Sequence, residues 1–188
     1  DYLYIPNNKD IYSFKVKNSI YLDKFSKKLC GKFKPGHFKA VIDIVNRFIE
    51  IIKPKIIYLG MKDFQQLSLI RLHIVKNKIK IKLVACPIIR EKSGLALSSR
   101  NTKLKKTQIL KAGKIYSYLK KNKKLILGKI LNKKKSEIIK KLTELGAEKI
   151  DYIECLNPKN FKFCKNTITN YKIFIAYYIS GVRLIDNL

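Results

Sequence analysis

The first strong pattern in the chain follows the turn residues Pro35 and Gly36, after an irregular stretch at 1–30 with one short helical piece at 22–29. Apolar side chains then recur three and four positions apart, which is the spacing of one face of an α-helix. They are Val41, Ile44, Val45, Phe48, Ile51 and Ile52, while the charged residues Asp43, Arg47 and Glu50 face away. The pattern predicts an amphipathic helix that ends at Pro54.

Two short apolar runs, at 56–59 and 81–86, lie on either side of a helical stretch at 62–77. Runs of this length are typical of buried strands. A strand–helix–strand unit favours a right-handed crossover and a parallel sheet. Gly60 then follows the carboxyl end of the first strand, which is where open α/β sheets bind ligands.

The pattern changes beyond position 101, where helices precede strands. Helical periodicity is predicted at 105–121 and at 135–145, the second helix being stopped by Gly146. Strand-like runs follow at 150–156, 172–179 and 182–185. Helices followed by strands favour a small α+β domain with an antiparallel sheet. We expect the boundary between the two parts of the chain at 89–94.

The composition is strongly basic, with 42 Lys and Arg against 13 Asp and Glu and a net charge of +29. A surface that binds nucleic acid specifically usually has, besides positive charge, arginines that make bidentate contacts with base edges and aromatic rings that stack on bases. Here the arginines are few and the lysines are spread along the chain, thickening only at 120–124 and 133–135. Ile, Asn, Tyr and Phe are also abundant, so the high lysine content is better explained by an A+T-rich coding sequence than by specific nucleic-acid binding. We still expect a weak, salt-sensitive attraction to polyanions.

The cysteines and the amino terminus indicate an intracellular protein. Cys30, Cys86, Cys155 and Cys164 are widely spaced and form no Cys-x-x-Cys pair, so we expect reduced, mostly buried thiols and no zinc site. No apolar run approaches the ~20 residues that span a bilayer, and the first residues lack the features of a signal peptide. The missing initial Met favours a fragment or a processed chain, and we expect a cytoplasmic location without a membrane partner.

Two segments carry candidate chemistry. Ser98, Ser99 and Arg100 place two hydroxyls and a guanidinium side by side, which suits a polyphosphate. Lys62 stands where a strand gives way to a helix, another favoured place for phosphate, although it could be one solvated lysine among many. Asp63 could serve the helix dipole or accept a hydrogen bond from a ribose hydroxyl.

Other polar residues near these segments allow more than one interpretation. One of Gln65 and Gln66 is expected to face the crevice at the strand end, and His37 is exposed by its turn. His73, in mid-helix, is expected to be a surface or hydrogen-bonded residue. The sequence shows no Ser-His-Asp set, no Walker-type loop and no metal-binding cluster. Any nucleotide chemistry would therefore depend on positioning the substrates and stabilising charge.

A set of ordered motifs carries a resemblance to a known family. They are Gly31 with Lys34-Pro35-Gly36-His37-Phe38, Gly60-Met61-Lys62-Asp63-Phe64-Gln65-Gln66, Arg90 with Gly94-Leu95-Ala96-Leu97-Ser98-Ser99-Arg100-Asn101, Gly146-Ala147-Glu148-Lys149-Ile150-Asp151-Tyr152, and Arg183-Leu184-Ile185-Asp186-Asn187. In this order they resemble the pantoate–β-alanine ligases, the pantothenate synthetases, over essentially the whole chain. The resemblance implies a ligase of pantothenate biosynthesis, in the coenzyme A pathway.

The resemblance also implies the reaction and the partners. Pantoate and ATP with Mg²⁺ would give pantoyl adenylate, which β-alanine would convert to pantothenate and AMP. Lys62 and Arg100 would be catalytic, and Gln66 and His37 would bind pantoate or β-alanine. ATP would be bound by Gly60, Met61, Lys62, Asp63, Ile89, Leu97, Ser98, Ser99 and Arg100, with no metal ligand supplied by the protein. A homodimer is a possible assembly.

The implied fold class is α/β, with a partial Rossmann-like nucleotidyltransferase domain followed by an antiparallel α+β domain. Residues 1–89 would form the carboxyl-terminal part of the ATP- and pantoate-binding domain, and residues 90–188 a lid domain. The family's preceding His-x-Gly-His half is not matched, so the chain is expected to lack half of its active site and not to complete the reaction alone. Departures from the family pattern are Cys30, Lys34, Met61, Ser93 and Lys103.

Two rival functions remain open at this point. One is a related enzyme that adenylates another carboxylate, and the other is a Lys-rich nucleic-acid-binding module without catalysis. Substrate-dependent pyrophosphate exchange would separate the first from a pantoate ligase, and a steep salt dependence with sequence preference would reveal the second.

Overall fold

The computed structural model describes residues 2–131, 134–163 and 171–188, and the chain divides into two compact units. One unit ends at Cys86 and the other begins at Pro87, close to the expected boundary. Cys164, one of the four predicted thiols, lies outside the described residues. Within the described ranges, Cys30, Cys86 and Cys155 form no disulfide with one another.

The first unit is an α/β arrangement around two strands. Its elements are α1 (Asn8–Tyr12), a 3₁₀ turn (Lys24–Lys27), α2 (Cys30–Phe33), α3 (His37–Ile52), β1 (Ile56–Gly60), a second 3₁₀ turn (Met61–Asp63), α4 (Phe64–Lys76) and β2 (Lys82–Cys86). β1 and β2 pair in parallel, with Ile56 opposite Lys82 and Gly60 opposite Cys86. This confirms the predicted strand–helix–strand unit.

Strand β1 is less buried than its sequence predicts. Ile56 is 41% exposed and Tyr58 is 64% exposed, whereas Ile57 and Leu59 are half-buried. Side chains alternate between the two faces of a strand, and α4 packs against β1. An uninterrupted apolar run therefore does not distinguish a strand covered on both faces from one covered on a single face.

The apolar stripe predicted for α3 is not its most buried face. The fully buried positions are Phe38, Ile42, Asn46 and Ile49, and Ile52 is 54% exposed. The helix packs against both α4 and α1, so its burial does not follow a single stripe of apolar residues. The prediction that Arg47 and Glu50 face away from the protein is wrong for the same reason.

Polar side chains of α3 hold the irregular amino-terminal segment. One guanidinium nitrogen of Arg47 donates to the carbonyls of Ile11 and Phe14, at 3.0 and 2.9 Å. The Glu50 carboxylate accepts from the Lys17 amide at 2.7 Å, and Asn46 donates to the Asn18 carbonyl at 2.9 Å. Main-chain groups of α1 and of the irregular segment that follows it are thus satisfied by side chains of α3.

The second unit packs three helices on an antiparallel sheet. Its elements are a 3₁₀ turn (Ser99–Lys103), α5 (Lys106–Lys121), α6 (Lys123–Leu131), α7 (Lys135–Glu144), β3 (Lys149–Leu156), β4 (Lys172–Ile179) and β5 (Val182–Asn187). The strand order is β3-β4-β5, with Lys149 opposite Tyr178 and Phe174 opposite Asn187. The core contains Ile115, Leu119, Ile126, Leu127, Ile138, Leu142, Ile153, Ile173 and Ile175. The predicted fold class is confirmed in both units.

Three helices are absent from the sequence prediction: α1, the single turn α2 and α6. α1 begins after Asn7, whose side chain accepts from the Asp10 amide while the Asp10 carboxylate accepts from the Asn7 amide, a reciprocal capping box. α6 begins directly after Asn122, in a lysine-rich stretch that conceals the fully buried Ile126 and Leu127. Among the described residues, no helix is both long and apolar enough to span a bilayer.

Candidate functional site

The end of β1 leads straight into a helix start. Gly60 is the last residue of the strand, the 3₁₀ turn Met61–Asp63 follows, and α4 begins at Phe64. The Lys62 side chain is 21% exposed, and its Nζ lies 3.9 Å from Oδ2 of Asp63. A cation therefore lies where strand end and helix start meet, as the sequence predicts.

His37 lies close enough to this turn to interact with it electrostatically. His37 is exposed, but partial desolvation of its ring and the nearby charge of Lys34 lower its pKa, and the carboxylate of Asp63 acts in the opposite direction. The lowered pKa favours the neutral imidazole, which can both donate and accept a hydrogen bond. Gly36, with φ of +78°, provides the turn from which α3 and His37 begin.

The two glutamines at the start of α4 have different environments. Gln65 is 6% exposed, and its Nε2 donates to the carbonyls of Phe25 and Lys28 while its Oε1 accepts from the Cys30 amide. Both ends of the Gln65 side-chain amide are thus used in hydrogen bonds that hold the fold together. Gln66 is half-buried, which leaves it as the glutamine that the sequence predicts to face the strand-end crevice.

A tight hairpin opens the second unit. Arg90 and Ala96 form an antiparallel bridge, and the Leu97 amide donates to the Ile89 carbonyl at 2.9 Å. Ile89 is 62% exposed and Leu97 is 50% exposed. Ile89 and Leu97, both predicted to take part in nucleotide binding, therefore lie opposite each other at the open end of the hairpin.

The segment after the hairpin is a capped 3₁₀ turn. The hydroxyl of Ser98 accepts from the Arg100 amide at 3.2 Å, and Ser99 is exposed. One guanidinium nitrogen of Arg100 donates to the Arg183 carbonyl at 3.1 Å, which ties this turn to β5. Asn101 is buried and donates to Glu91 at 2.6 Å and to the Ala96 carbonyl at 3.1 Å.

Arg90 and Asp186 form an ion pair to which sequence reasoning gave no role. Two guanidinium nitrogens of Arg90 donate to the two carboxylate oxygens of Asp186, at 2.6 and 2.9 Å. The guanidinium also stacks over the ring of Tyr116 at 3.9 Å. The two residues belong to the quoted motifs, but 96 positions separate them and no local pattern indicates their contact.

The predicted site residues fall into two groups, one in each unit. Gly60, Met61, Lys62, Asp63, Gln66 and His37 belong to the first unit, and Ile89, Leu97, Ser98, Ser99 and Arg100 belong to the second. Within each unit the structure gathers its group around one turn. Among the described residues, no group of three or more His, Cys, Asp or Glu side chains could hold a metal ion.

The family model described as Pantoate-beta-alanine ligase matches residues 1–188. The chain belongs to the pantoate–β-alanine ligase family. Its membership makes it a ligase and leaves the nucleic-acid-binding module without support. The chain is 36% identical to the pantothenate synthetase of Flavobacterium psychrophilum over 189 residues, which cover 99% of the chain and 67% of that relative. It is 35% identical to the pantothenate synthetase of Thermosipho africanus, covering 100% of the chain and 68% of the relative.

Solved structures of the family agree with this membership. The crystal structure of pantothenate synthetase from Thermus thermophilus matches with a TM-score of 0.83 and 26% identity, over 97% of this chain and 67% of that one. The ligase from Francisella tularensis, complexed with β-γ ATP and β-alanine, matches with a TM-score of 0.71 and 36% identity, over 96% of this chain and 61% of that one. The chain thus spans about two thirds of the length of these family members.

Proposed function

We propose that this protein joins pantoate to β-alanine in an ATP-dependent reaction that passes through pantoyl adenylate. A pantoate carboxylate oxygen attacks the α-phosphorus of ATP, and pyrophosphate leaves. The amine of β-alanine then attacks the acyl carbon, AMP leaves, and the amine nitrogen loses a proton. Family membership supports the overall ligation, and the placement of Lys62 between β1 and α4 is the observation that supports the nucleotide chemistry.

Lys62 has the role of charge stabilisation in this proposal. Negative charge builds up on the phosphate oxygens as pyrophosphate separates, and a nearby ammonium stabilises that charge more in the transition state than in the ground state. With its side chain 21% exposed, Lys62 is partly desolvated, which strengthens this interaction relative to a fully solvated lysine. Gly60 and Asp63, next to it, would border the ribose.

The second unit supplies the other nucleotide contacts in the proposal. The main chain of Ile89 and the side chain of Leu97 would meet the adenosine portion, because they lie opposite each other at the open end of the hairpin. Ser98, Ser99 and Arg100 would hold the phosphates. A guanidinium has five N–H donors, so the bond from Arg100 to Arg183 leaves donors for phosphate oxygens.

Pantoate and Mg²⁺ complete the proposed substrate complex. Gln66 would hydrogen-bond pantoate, and His37, whose lowered pKa favours the neutral imidazole, would line the same pocket. Mg²⁺ usually keeps several waters and is held by one or two carboxylates and substrate phosphates, so it does not require a protein cage. The ion would neutralise phosphate charge.

The test compares Lys62→Met with Lys80→Met, which removes an exposed lysine of the same unit. Pantoate-dependent exchange of labelled pyrophosphate into ATP and the formation of pantothenate and AMP are measured on the protein as its source makes it. We expect Lys62→Met to lower kcat by about 100-fold or more and Lys80→Met to change it little. Exchange that another carboxylate supports as well as pantoate does would identify the related adenylating enzyme instead.

A further inference from the structure

The ion pair of Arg90 with Asp186 fastens the hairpin to β5. The side chains of Arg90 and Asp186 are only 18% and 9% exposed, and the contact is a two-point fork. Burial by itself would lower the pKa of Arg90, but the hydrogen bonds and charge of Asp186 outweigh it and raise that pKa. A partly desolvated, bidentate pair of this kind is more directional than a surface ion pair.

Helix α5 packs against the turn of the same hairpin. Gly94 has φ of +94°, and a methyl group added there would come within 2.5 Å of the Tyr116 ring. A methyl group at Gly113 would collide with the Ser93 carbonyl, so the helix backbone approaches the hairpin closely. Arg90 joins both supports, because it stacks on Tyr116 and donates to the Gly94 carbonyl at 3.1 Å.

The hairpin therefore has a fixed shape, and its two ends carry Ile89 and Leu97. Ser98 follows immediately, and Asn101 ties the 3₁₀ turn back to Glu91 and to the Ala96 carbonyl. A movement of the hairpin would move all of these groups together. The exposed groups proposed to bind nucleotide therefore depend on the partly buried cluster of Arg90, Tyr116 and Asp186.

We propose that Arg90, Tyr116 and Asp186 are positioning residues, which hold the 89–97 hairpin and the Ser98–Arg100 turn in the conformation that ATP binding requires. The inference rests on the proposed function of that loop. Holding a loop in its bound conformation before the ligand arrives removes the entropic cost of ordering it at binding. Loss of the cluster then weakens ATP binding without removing any group that touches ATP.

The variants Asp186→Asn and Arg90→Lys test the role in the active protein. Asp186→Asn keeps one oxygen acceptor and loses the charge, and Arg90→Lys keeps the charge but loses the fork and the stacked plane. We expect KM for ATP to rise about tenfold or more in Asp186→Asn and less in Arg90→Lys, with kcat for saturating substrates changed far less. The matched control is Glu154→Gln, which breaks the 2.6 Å ion pair of Lys135 with Glu154 in the same unit.

Hydrogen exchange provides a readout that does not depend on activity. The amides of Gly94 and Leu97 donate to the carbonyls of Glu91 and Ile89. In Asp186→Asn their exchange is expected to accelerate about tenfold or more while exchange in β3 and β4 stays as in the parent protein. Glu154→Gln is expected to leave the hairpin protected.

The outcomes separate this inference from the proposed function. Unchanged hairpin exchange with an unchanged KM for ATP in both variants overturns the positioning role. If Asp186→Asn raises exchange throughout the unit, Arg90→Lys decides: local acceleration in the hairpin supports the role, and none overturns it. A parent protein without pantoate-dependent exchange of pyrophosphate refutes the proposed function, whereas accelerated hairpin exchange would still show that the cluster fixes the loop.

Discussion

The side-chain amide of Gln65 donates a 2.8 Å hydrogen bond to the main-chain carbonyl of Phe25, 40 residues earlier in the chain. The same amide group donates to the Lys28 carbonyl at 2.7 Å, and the amide oxygen accepts from Cys30 at 3.1 Å. One buried side chain therefore fixes the segment that precedes the turn at Gly36. Its neighbour Gln66 has no such position in the fold and is available for the substrate role proposed above.

We predict that substitution of Gln65 affects stability, whereas substitution of Gln66 affects substrate binding. Gln65→Ala leaves buried main-chain groups without partners and is expected to lower the free energy of unfolding by about 2–4 kcal/mol. Gln66→Ala is expected to change stability by less than about 1 kcal/mol and to raise KM for pantoate about tenfold or more. Denaturant unfolding and steady-state kinetics on both variants measure this, and an equal loss of stability would contradict the assignment.

The charges around His37 predict the direction in which its pKa responds to substitution. Removing the cation in Lys34→Met is expected to raise the pKa of His37, and removing the anion in Asp63→Asn is expected to lower it further. NMR titration of the imidazole protons measures both shifts, with His73 as the internal reference. No response to Asp63→Asn would place the two groups too far apart to act on one pocket.

We expect the free energy of unfolding to fall in mild acid, because the buried His73 resists protonation in the folded state. His73 is fully buried in α4, and its Nδ1 accepts from the Tyr21 amide at 3.2 Å. Burial lowers the pKa of His73 in the folded state, so the unfolded chain binds the proton first as the pH falls below about 6.5. Stability is therefore complete above that pH and declines below it, by at most about 1.4 kcal/mol per pH unit.

The measurement removes the second histidine as a variable. Unfolding free energies between about pH 7.5 and 5, a range that brackets the histidine pKa, are compared in His37→Gln and in the double variant His37→Gln with His73→Gln. We expect a smaller decline in the double variant, even if its stability at neutral pH is lower. Equal slopes would mean that the proton enters the folded state at His73 without cost.

Gly94 and Gly181 provide a matched test of packing at the hairpin. Both have positive φ, +94° and +70°, but an added methyl group meets Tyr116 at Gly94 and only open space at Gly181. The two alanine variants share the backbone strain. Gly94→Ala is expected to lower the unfolding free energy by about 1–3 kcal/mol more than Gly181→Ala. Thermal or denaturant unfolding measures the difference, and equal losses would argue against close packing on Tyr116.

Much of the fold follows from local patterns. The helices α4, α5 and α7, both parallel strands and the three antiparallel strands lie within a few residues of the predicted ranges, since repeated apolar spacing reflects burial directly. The patterns fail where burial is not periodic. Asn46 and Arg47 hold an irregular segment rather than facing solvent, and a polar residue that satisfies distant main-chain groups gives no sign of it in its own neighbourhood.

The candidate site divides in the same way. Its residue types, and the strand-to-helix position of Lys62, are determined by the sequence alone, because chemistry and local turn geometry lie within a few consecutive residues. Which glutamine serves the fold, how the pKa of His37 is lowered, and how Asp186 anchors Arg90 are decided only by the tertiary structure. These features depend on contacts between residues that are far apart in the sequence, up to 96 positions for Arg90 and Asp186, which form when the chain packs and which no local pattern contains.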